Sequence, residues 1–505
     1  MAGGATVGID VGTTAVKAAL IDREGRVAAR FERPYPTRRP GPGRAEQDPA
    51  DWLRLVDEAM AALSAADGAG DVAAVGLCAQ ANTHAFVDAA GAALMPAILW
   101  QDGRAGAEAA ALDARVDPAD RVAWWGAPMP VDASHPLARM LWARRHRPEV
   151  WDRTAHVLLP KDVCLRHLTG ELATDPLSNF GLVDAGLAPI PDLLALVPGA
   201  AGRVAPMRPV TAVMGRVRAG RPFAGRPVAV GTMDAWAGLV GAGGAREGRV
   251  VYLAGTSEIL GLSSRAVSPT PGVVVFPLSD GVRLHAAPTQ AGGDALRWLA
   301  EAQGTTPEAL SALVAATPRG PATPLFLPQL EGERAPLWDA SLRGAFLGLA
   351  RPTGAGDLAR AVMEGVALSV RHALGALRTS GRADGGPVAC GGGGFRSGAW
   401  SQIRADVLGM ELHVIEAGEP GVLGAATLAA VAAGLHPDLG AATAAMARVG
   451  RVHRPDAAAH ALYGELFAAY LDAVEANAAL GRRLTALASG PGLGEGAPDT
   501  PGRPA

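Results

Sequence analysis

The chain is short of cysteine, of net charge and of long apolar runs, and each shortage closes off a class of protein. Three cysteines among 505 residues, Cys78, Cys164 and Cys390, share no metal-binding or redox spacing. Neither a disulfide framework nor a zinc site is expected, and a reducing compartment is. A formal net charge of −3, with both signs mixed along the sequence, offers nucleic acid no basic field. No stretch approaches the ~18 uninterrupted apolar residues of a membrane span. A first apolar strand from Thr6 leaves no room for the basic and apolar regions of a secretory leader, so a cytoplasmic location is the expectation. The partner left by these exclusions is a small molecule.

What is present is an apolar, glycine-rich chain, 49% hydrophobic with 65 glycines. Its length exceeds one core and suits two domains of roughly 200 to 250 residues each. Glycines and charges cluster from Gly241 to Gly248, which sets the expected division at residues 1–245 and 246–486. The Gly/Pro-rich tail, 487–505, has too little apolar surface to fold. Each part opens in the same way. Thr6 to Asp10, Val16 to Asp22 and Arg26 to Phe31 read as an antiparallel meander, and a second meander begins at Arg249. Asp48-Pro49 reads as a helix start, followed by Trp52, Leu55, Val56, Ala59, Met60 and Leu63 at helical spacing. Val72 to Cys78 and Ala97 to Trp100 read as buried strands. From about 104 to 225 the pattern weakens into helices and Pro-rich connections. Asp357 to Ser380 carries an apolar stripe through Leu358, Val362, Val366, Val370, Leu374 and Leu377, and a last amphipathic helix is expected over about 457 to 486.

Both meanders break at a glycine followed by hydroxyls, Gly12-Thr13-Thr14 and Gly255-Thr256-Ser257. Such turns bring several backbone N–H groups to one phosphate, and glycine allows the close approach. Either alone fits a plain hairpin; as a pair, each heading its half, they imply a duplicated nucleotide fold with the turns facing across a cleft. Asp10 ends the first strand, where a carboxylate would repel phosphate unless a hydrated Mg²⁺ lay between them; an Asx-turn cap is the plainer role. Lys17 is placed to neutralise phosphate or simply to be solvated. Asp234, after the strand Val228-Ala-Val-Gly, is the candidate base for phosphorylating an alcohol, a role compatible with capping the helix behind it. Cys390 to Gly394 sets four glycines between a strand and a helix capped by Ser397, a surface suited to a flat ring or a phosphate.

Three further segments give the chain a family resemblance. Gly344-Ala-Phe-Leu-Gly-Leu with Asp357-Leu-Ala-Arg-Ala-Val-Met-Glu364 resembles the C-terminal signature of the FGGY carbohydrate kinases. Phe326-Leu-Pro-Gln-Leu-Glu-Gly-Glu-Arg-Ala-Pro336 resembles their Gly-Glu-Arg-Thr-Pro segment, and Leu158-Leu-Pro-Lys-Asp162 through Leu168-Thr-Gly-Glu171 their first block. The similarity spans about 5 to 440. It implies an α/β, two-domain, ribonuclease H-like and actin-like (ASKHA) ATPase fold with a central cleft, ATP and Mg²⁺ as cofactors, and a sugar or polyol as substrate. By the same resemblance Asp234 takes the position of the catalytic base and Asp10 that of the acid holding the metal through water. Thr13, Thr14, Lys17, Thr256 and the flanking Gly12, Gly255 and Ser257 fall at the nucleotide phosphates. Gly293 and Arg297 flank the nucleotide, and Gly392, Gly393, Gly394 and Ser397 match the adenosine loop.

Substrate recognition departs from the family pattern. Gln80 is followed by Ala81-Asn82 where xylulokinases have Met-His and glycerol kinases Arg-Glu. Ala235 follows the base where those have Asn and Gln. Trp100-Gln-Asp102 resembles the family's substrate segment, implying an apolar wall from Trp100 and a hydroxyl contact from Asp102; His84 is either a compensating contact or structural. The expected activity is ATP-dependent phosphorylation of a pentulose such as D-xylulose. Another ketose or polyol (ribulose, erythritol, glycerol) stays open. More distant readings are an actin-like or Hsp70-like ATPase acting on a protein, and a sugar-binding regulator without kinase activity. A homodimer is compatible with the resemblance.

Overall fold

The computed structural model describes residues 4–125 and 129–488; the expected tail falls, from 489 on, outside the described residues. Two seven-stranded mixed sheets organise the chain. The first comprises β1 (Ala5–Val11), β2 (Ala15–Asp22), β3 (Val27–Pro34), β4 (Val72–Ala79), β5 (Val213–Arg216), β6 (Pro227–Ala229) and β7 (Thr232–Met233). Its order is β3-β2-β1-β4-β6-β5, with β7 also paired to β4. The second comprises β8 (Val250–Ala254), β9 (Glu258–Ser263), β10 (Val274–Val275), β11 (Leu284–Pro288), β12 (Val388–Gly391), β13 (Leu412–Ile415) and β14 (Val449–His453), in the order β10-β11-β9-β8-β12-β13-β14. Each sheet begins as an antiparallel meander and continues through strands parallel to its first one, β4 in one case and β12 in the other.

The helices form where sequence patterning places them. Helix α1 (Pro49–Ser64) is capped by the Asp48 side chain and buries Trp52, Leu55, Val56, Ala59, Met60 and Leu63, the stripe read from the sequence. Helix α2 (Pro160–Thr169) packs on α1. Helix α3 starts at Asp234 and runs to Leu239, with Met233 rather than Asp234 as its cap, and gives way to a wider turn over Val240–Gly244. Helix α4 covers Gly293–Ala302, α5 Ala355–Ser380, α6 Gly398–Leu408, α7 Pro420–Ala432 and α8 Ala457–Ala488. The run expected as a strand over Ala97 to Trp100 is reduced to Ala97–Ile98, because Trp100 turns out of the sheet and towards β1.

Helix α7 belongs to the second half of the chain yet lies on the first sheet. A Cβ at Gly8 of β1 would stand 2.1 Å from the Val422 carbonyl, and one at Gly76 of β4 would stand 2.0 Å from that of Ala425. Gly424 meets the Ala237 carbonyl of α3 at 1.9 Å, and Gly241 meets Pro420 at 2.1 Å, by the same measure. Backbone therefore touches backbone over Pro420 to Ala425, an approach that only glycine allows. Among the described residues, no helix is long and apolar enough to cross a membrane.

Gly76→Ala should cost about 1–3 kcal/mol or more through overpacking against a carbonyl that cannot yield. Gly375→Ala, at an exposed α5 position whose Cβ would meet nothing within 4 Å, should instead stabilise by about 0.5–1 kcal/mol. Thermal or urea unfolding of the two variants checks both signs; a neutral Gly76→Ala would refute the packing account.

Candidate active site

The two acids are brought together by strand register. Asp10 pairs with Lys17 across β1 and β2 and with Cys78 across β1 and β4. Thr232 of β7 pairs with Cys78, two residues before Asp234. Both carboxylates thus emerge at the same edge of the first sheet, where parallel strands end. Asp234 Oδ1 accepts the Ala235 N–H at 2.7 Å, and the Ala81 N–H also bonds this carboxylate. Burial pushes the Asp234 carboxyl up to about 6, against those N–H donors. Asp10 is pushed further, to about 7, by burial first and then by the charge of Asp234, with Lys17 and the Cys78 thiol opposing.

The surroundings of Asp10 suit a cation. Its Oδ1 is buried and has no hydrogen-bond partner, and its Oδ2 would stand 2.6 Å from a Cβ at Gly421. The first turn of α7, carrying the positive end of the helix dipole, thus closes over the carboxylate. Among the described residues no cluster of three or more His, Cys, Asp or Glu could hold a metal directly. A hydrated Mg²⁺ needs only one or two carboxylates plus phosphates, and the unsatisfied oxygen of Asp10 fits that requirement.

The turn Gly12 to Thr14 is braced from beneath. Gly12 N–H donates to the Ala15 carbonyl at 3.1 Å, and the Tyr35 hydroxyl donates to the Gly12 carbonyl. Gln47 donates to the Thr13 carbonyl at 2.7 Å and accepts from Gln80 at 2.8 Å and from Trp52 at 3.2 Å. The Trp100 indole donates to Thr13 Oγ1 at 3.1 Å, so the expected phosphate turn and the expected substrate wall are in contact. Lys17 is not free: its Nζ lies 2.8 Å from Glu419 and 3.9 Å from Glu32. Burial alone would lower this ammonium, but Glu419, with Glu32 and Asp10, holds it above its ordinary value.

Two residues expected at the substrate are turned inward. Gln80 is buried, its amide spent on Gln47 and Thr83. Asp102 accepts the N–H of Ala45 at 2.6 Å and three donors of Arg104 at 2.7–2.9 Å. Those four bonds use the lone-pair sites of a carboxylate, so Asp102 braces the Trp100 segment where a hydroxyl contact was expected. Burial raises its pKa, but the Arg104 and backbone donors outweigh burial and hold it below the ordinary value. Ala81, Asn82, Trp100 and Ala235 stay partly exposed around Asp234. Asn82 adopts a left-handed backbone, φ 50°, and its amide reaches Ser134 at 3.3 Å. His84 is buried against Arg139 at 2.9 Å, and burial together with that cation lowers its pKa well below the ordinary value; its role is structural.

The second group of expected residues also assembles. Gly293 N–H donates to the Gly255 carbonyl at 2.8 Å and Asp294 N–H to that of Thr256 at 3.1 Å, which docks the start of α4 on the second turn. A Cβ at Gly392 would stand 2.4 Å from the Ala254 carbonyl, and one at Gly394 would stand 2.7 Å from the Ala254 side chain. The glycine loop therefore lies on the strand that leads into Gly255, Thr256 and Ser257. Ser397 caps α6 through the Trp400 N–H at 3.2 Å and meets Ser311 at 2.5 Å. Arg297 is occupied by Asp294 at 2.8 Å on the exposed face of α4. Gln47, Tyr35 and Glu419 escaped the sequence reading because each acts through a partner at least 23 residues away in the chain.

Comparisons with known proteins agree with this arrangement. The profile of the N-terminal domain of the FGGY family of carbohydrate kinases matches residues 5–181, and that of the C-terminal domain matches residues 250–433. The xylulose kinase of Escherichia coli K12 is 34% identical over 454 residues, 85% of this chain and 90% of that protein. The solved xylulose kinase of Rhodospirillum rubrum is 30% identical with a TM-score of 0.81, covering 94% of this chain and 99% of its own. The gluconate kinase of Lactobacillus acidophilus is 25% identical with a TM-score of 0.84, covering 95% and 100%. These kinases share the fold of two α/β domains built on mixed sheets.

The raised Asp10 carboxyl has a consequence for stability. Its ordinary value is 3.8 and its folded value about 7, so between those pH values the folded chain holds a proton that the unfolded chain releases. Folding stability contributed by this group is therefore lost as pH rises through the window. Without nucleotide or metal, Asp10→Asn should be more stable than the parent at pH 8, with the gap narrowing towards pH 4. Melting curves across that range check it; a gap that widens on acidification would overturn the assignment.

Proposed function

The chain belongs to the FGGY family of carbohydrate kinases, and from that premise we propose that it transfers the γ-phosphoryl group of ATP to a primary hydroxyl of a pentulose such as D-xylulose. The observation that carries this reading is the pair of desolvated carboxylates, Asp10 and Asp234, at one sheet edge with unequal surroundings. Asp234 is tied down by backbone N–H groups and ionises at the lower pH, which suits a general base at neutral pH. Asp10 keeps an oxygen without a protein donor, which suits a position behind a hydrated cation.

Asp234 accepts the proton of the substrate hydroxyl as the oxygen attacks the γ-phosphorus. The attacking and leaving oxygens must lie in line, and the gain comes mostly from alignment and charge neutralisation. Trp100 supplies an apolar wall that is itself hydrogen-bonded to Thr13, so sugar and phosphate positions are set relative to each other. The N–H groups of Thr13, Thr14, Thr256 and Ser257 are the phosphate donors, those of Gly12 and Gly255 closing their turns onto the Ala15 and Ser257 carbonyls, with Lys17 nearby, and Gly392 to Gly394, Gly293, Arg297 and Ser397 surround the nucleoside. Asp10, with its unpartnered Oδ1, would hold a hydrated Mg²⁺, which would supply neutralisation of phosphate charge. Closure of the cleft excludes water and limits wasteful ATP hydrolysis.

A second reading of the substrate rests on Ala81 and Ala235. Neither offers a polar side chain beside the base, and a site lacking a hydroxyl partner does not discriminate for that hydroxyl. Another ketose or a polyol, such as ribulose, erythritol or glycerol, fits the same chemistry.

Asp234→Asn should lower kcat at least about 1,000-fold while ADP binding by calorimetry stays within about threefold; near-parental turnover would sink the base assignment. For the parent enzyme, kcat/KM should rise with pH through about 6 and level off above, because the base must be ionised. An ADP-release screen over ketopentoses, ketohexoses and short polyols identifies the substrate, with the highest kcat/KM expected on a ketopentose.

A further inference from the structure

Behind the glycine loop sits an arginine that no part of the reaction described above uses. Arg404 of α6 and Glu258 of β9 are both fully buried and pair at 2.8 Å. Arg404 Nη1 donates to the Gly394 carbonyl at 2.7 Å, and its Nε donates to the Tyr252 hydroxyl at 2.9 Å. Its guanidinium also lies 4.1 Å from the Trp400 ring centroid and 5.0 Å from that of Phe395. Glu258 directly follows Ser257, and its backbone is bonded to Thr289 in both directions, at 3.3 Å and 2.9 Å. Thr289 in turn bonds the Ala291 carbonyl at 2.8 Å, just before α4. One planar cation thus touches the glycine loop with one nitrogen and the residue after the second phosphate turn with another.

We propose that Arg404 is a positioning residue for the nucleotide, its fork joining the glycine loop at Gly394 to the phosphate turn at Ser257 through Glu258 so that adenosine and phosphate contacts hold one spacing. The inference rests on the nucleotide assignment made above. A guanidinium suits this task because its donors sit on three nitrogens in one plane and are fixed in direction, whereas the three donors of an ammonium rotate about a single nitrogen and cannot span the same acceptors. A buried pair of this kind adds little net stability over an apolar pair, and removing one partner strands the other charge. Its value lies in geometry. The first sheet, with Asp10, Asp234 and Trp100, makes no hydrogen bond or ion pair to Arg404 among the described residues.

The test uses full-length protein and three variants. Arg404→Lys keeps the charge opposite Glu258 and should fold; Glu258→Gln keeps an acceptor for Arg404. Leu374→Ala, in the α5 core, controls for general loss of stability. Arg404→Lys and Glu258→Gln should raise KM for ATP and the Kd for ADP about tenfold or more, with KM for the sugar within twofold. Amide exchange should speed up together in residues 255–258 and 391–396 and stay unchanged in β1 and β4. Leu374→Ala should lower Tm without splitting the two KM values. Unchanged ADP affinity in a folded Arg404→Lys, or equal rises in both KM values, overturns the proposal. If Arg404→Lys does not fold, Glu258→Gln decides by the same criteria. Failure of the nucleotide assignment itself is separate, since the parent protein would then bind no ADP.

Discussion

The site depends on how closely α7 approaches the first sheet. Gly8, Gly76, Gly241 and Gly424 remove side chains at four points where the helix meets β1, β4, α3 and the wider turn behind α3. The first turn of α7 consequently reaches Asp10, and Cys78 lies beside both, its thiol 3.4 Å from the Gly421 carbonyl. A wider separation would admit water and side chains, and the carboxylate would titrate as an ordinary one. The close approach also brings Glu419 to Lys17 and, at 3.7 Å, to Arg396 beyond the glycine loop. A chain of charges therefore runs from β2 to the loop on the other sheet.

Among the described residues, each half also carries a fully buried group of paired charges, a triad in the first and a pair in the second. In the first, Lys161 of α2 lies 2.5 Å from Asp162 and 2.9 Å from Asp175, and Asp175 accepts from Thr232 at 2.9 Å, two residues before Asp234. In the second, Arg404 and Glu258 stand in the corresponding relation to the phosphate turn. Such pairs are costly to desolvate, and both connect a helix on the outside of a sheet to the strand end that carries chemistry. The two sheets share a topology, but the position two residues before the turn glycine is Asp10 in one and Leu253 in the other. Of the two glycine-hydroxyl turns, only the first therefore follows a strand with an acid near its end.

The segments beside Asp234 and Thr13 are organised in two layers. Gln80, Gln47 and Asp102 are buried and hold the backbone around Thr13 and Trp100, whereas Ala81, Asn82, Trp100 and Ala235 remain partly exposed near Asp234. Ala81 and Ala235 meet the base through backbone N–H groups and offer it no polar side chain. The departure from the family pattern thus falls in the layer that faces the cleft, and the supporting layer is fully hydrogen-bonded.

Much of this was legible in the sequence. The meanders, the Asp48-capped helix, the stripe through Leu358 to Leu377 and the cap at Ser397 follow from local rules, namely alternation, helical spacing and side-chain bonds to nearby N–H groups. The glycine-hydroxyl turns and the two acids were visible because their chemistry depends on residue type within a few positions. What the tertiary structure alone decided is which polar groups remain free. Asp102 reads as a contact to ligand, yet Arg104 already takes its oxygens, while Lys17 and Arg297 carry partly exposed bridges to Glu419 and Asp294 that no local pattern announces. Arg404, which no local pattern singles out, proves to be buried and paired with Glu258, 146 residues away in the chain. The titration of Asp10 and Asp234 likewise depends on mutual distance and lost water, and those are properties of packing between segments that no local pattern encodes.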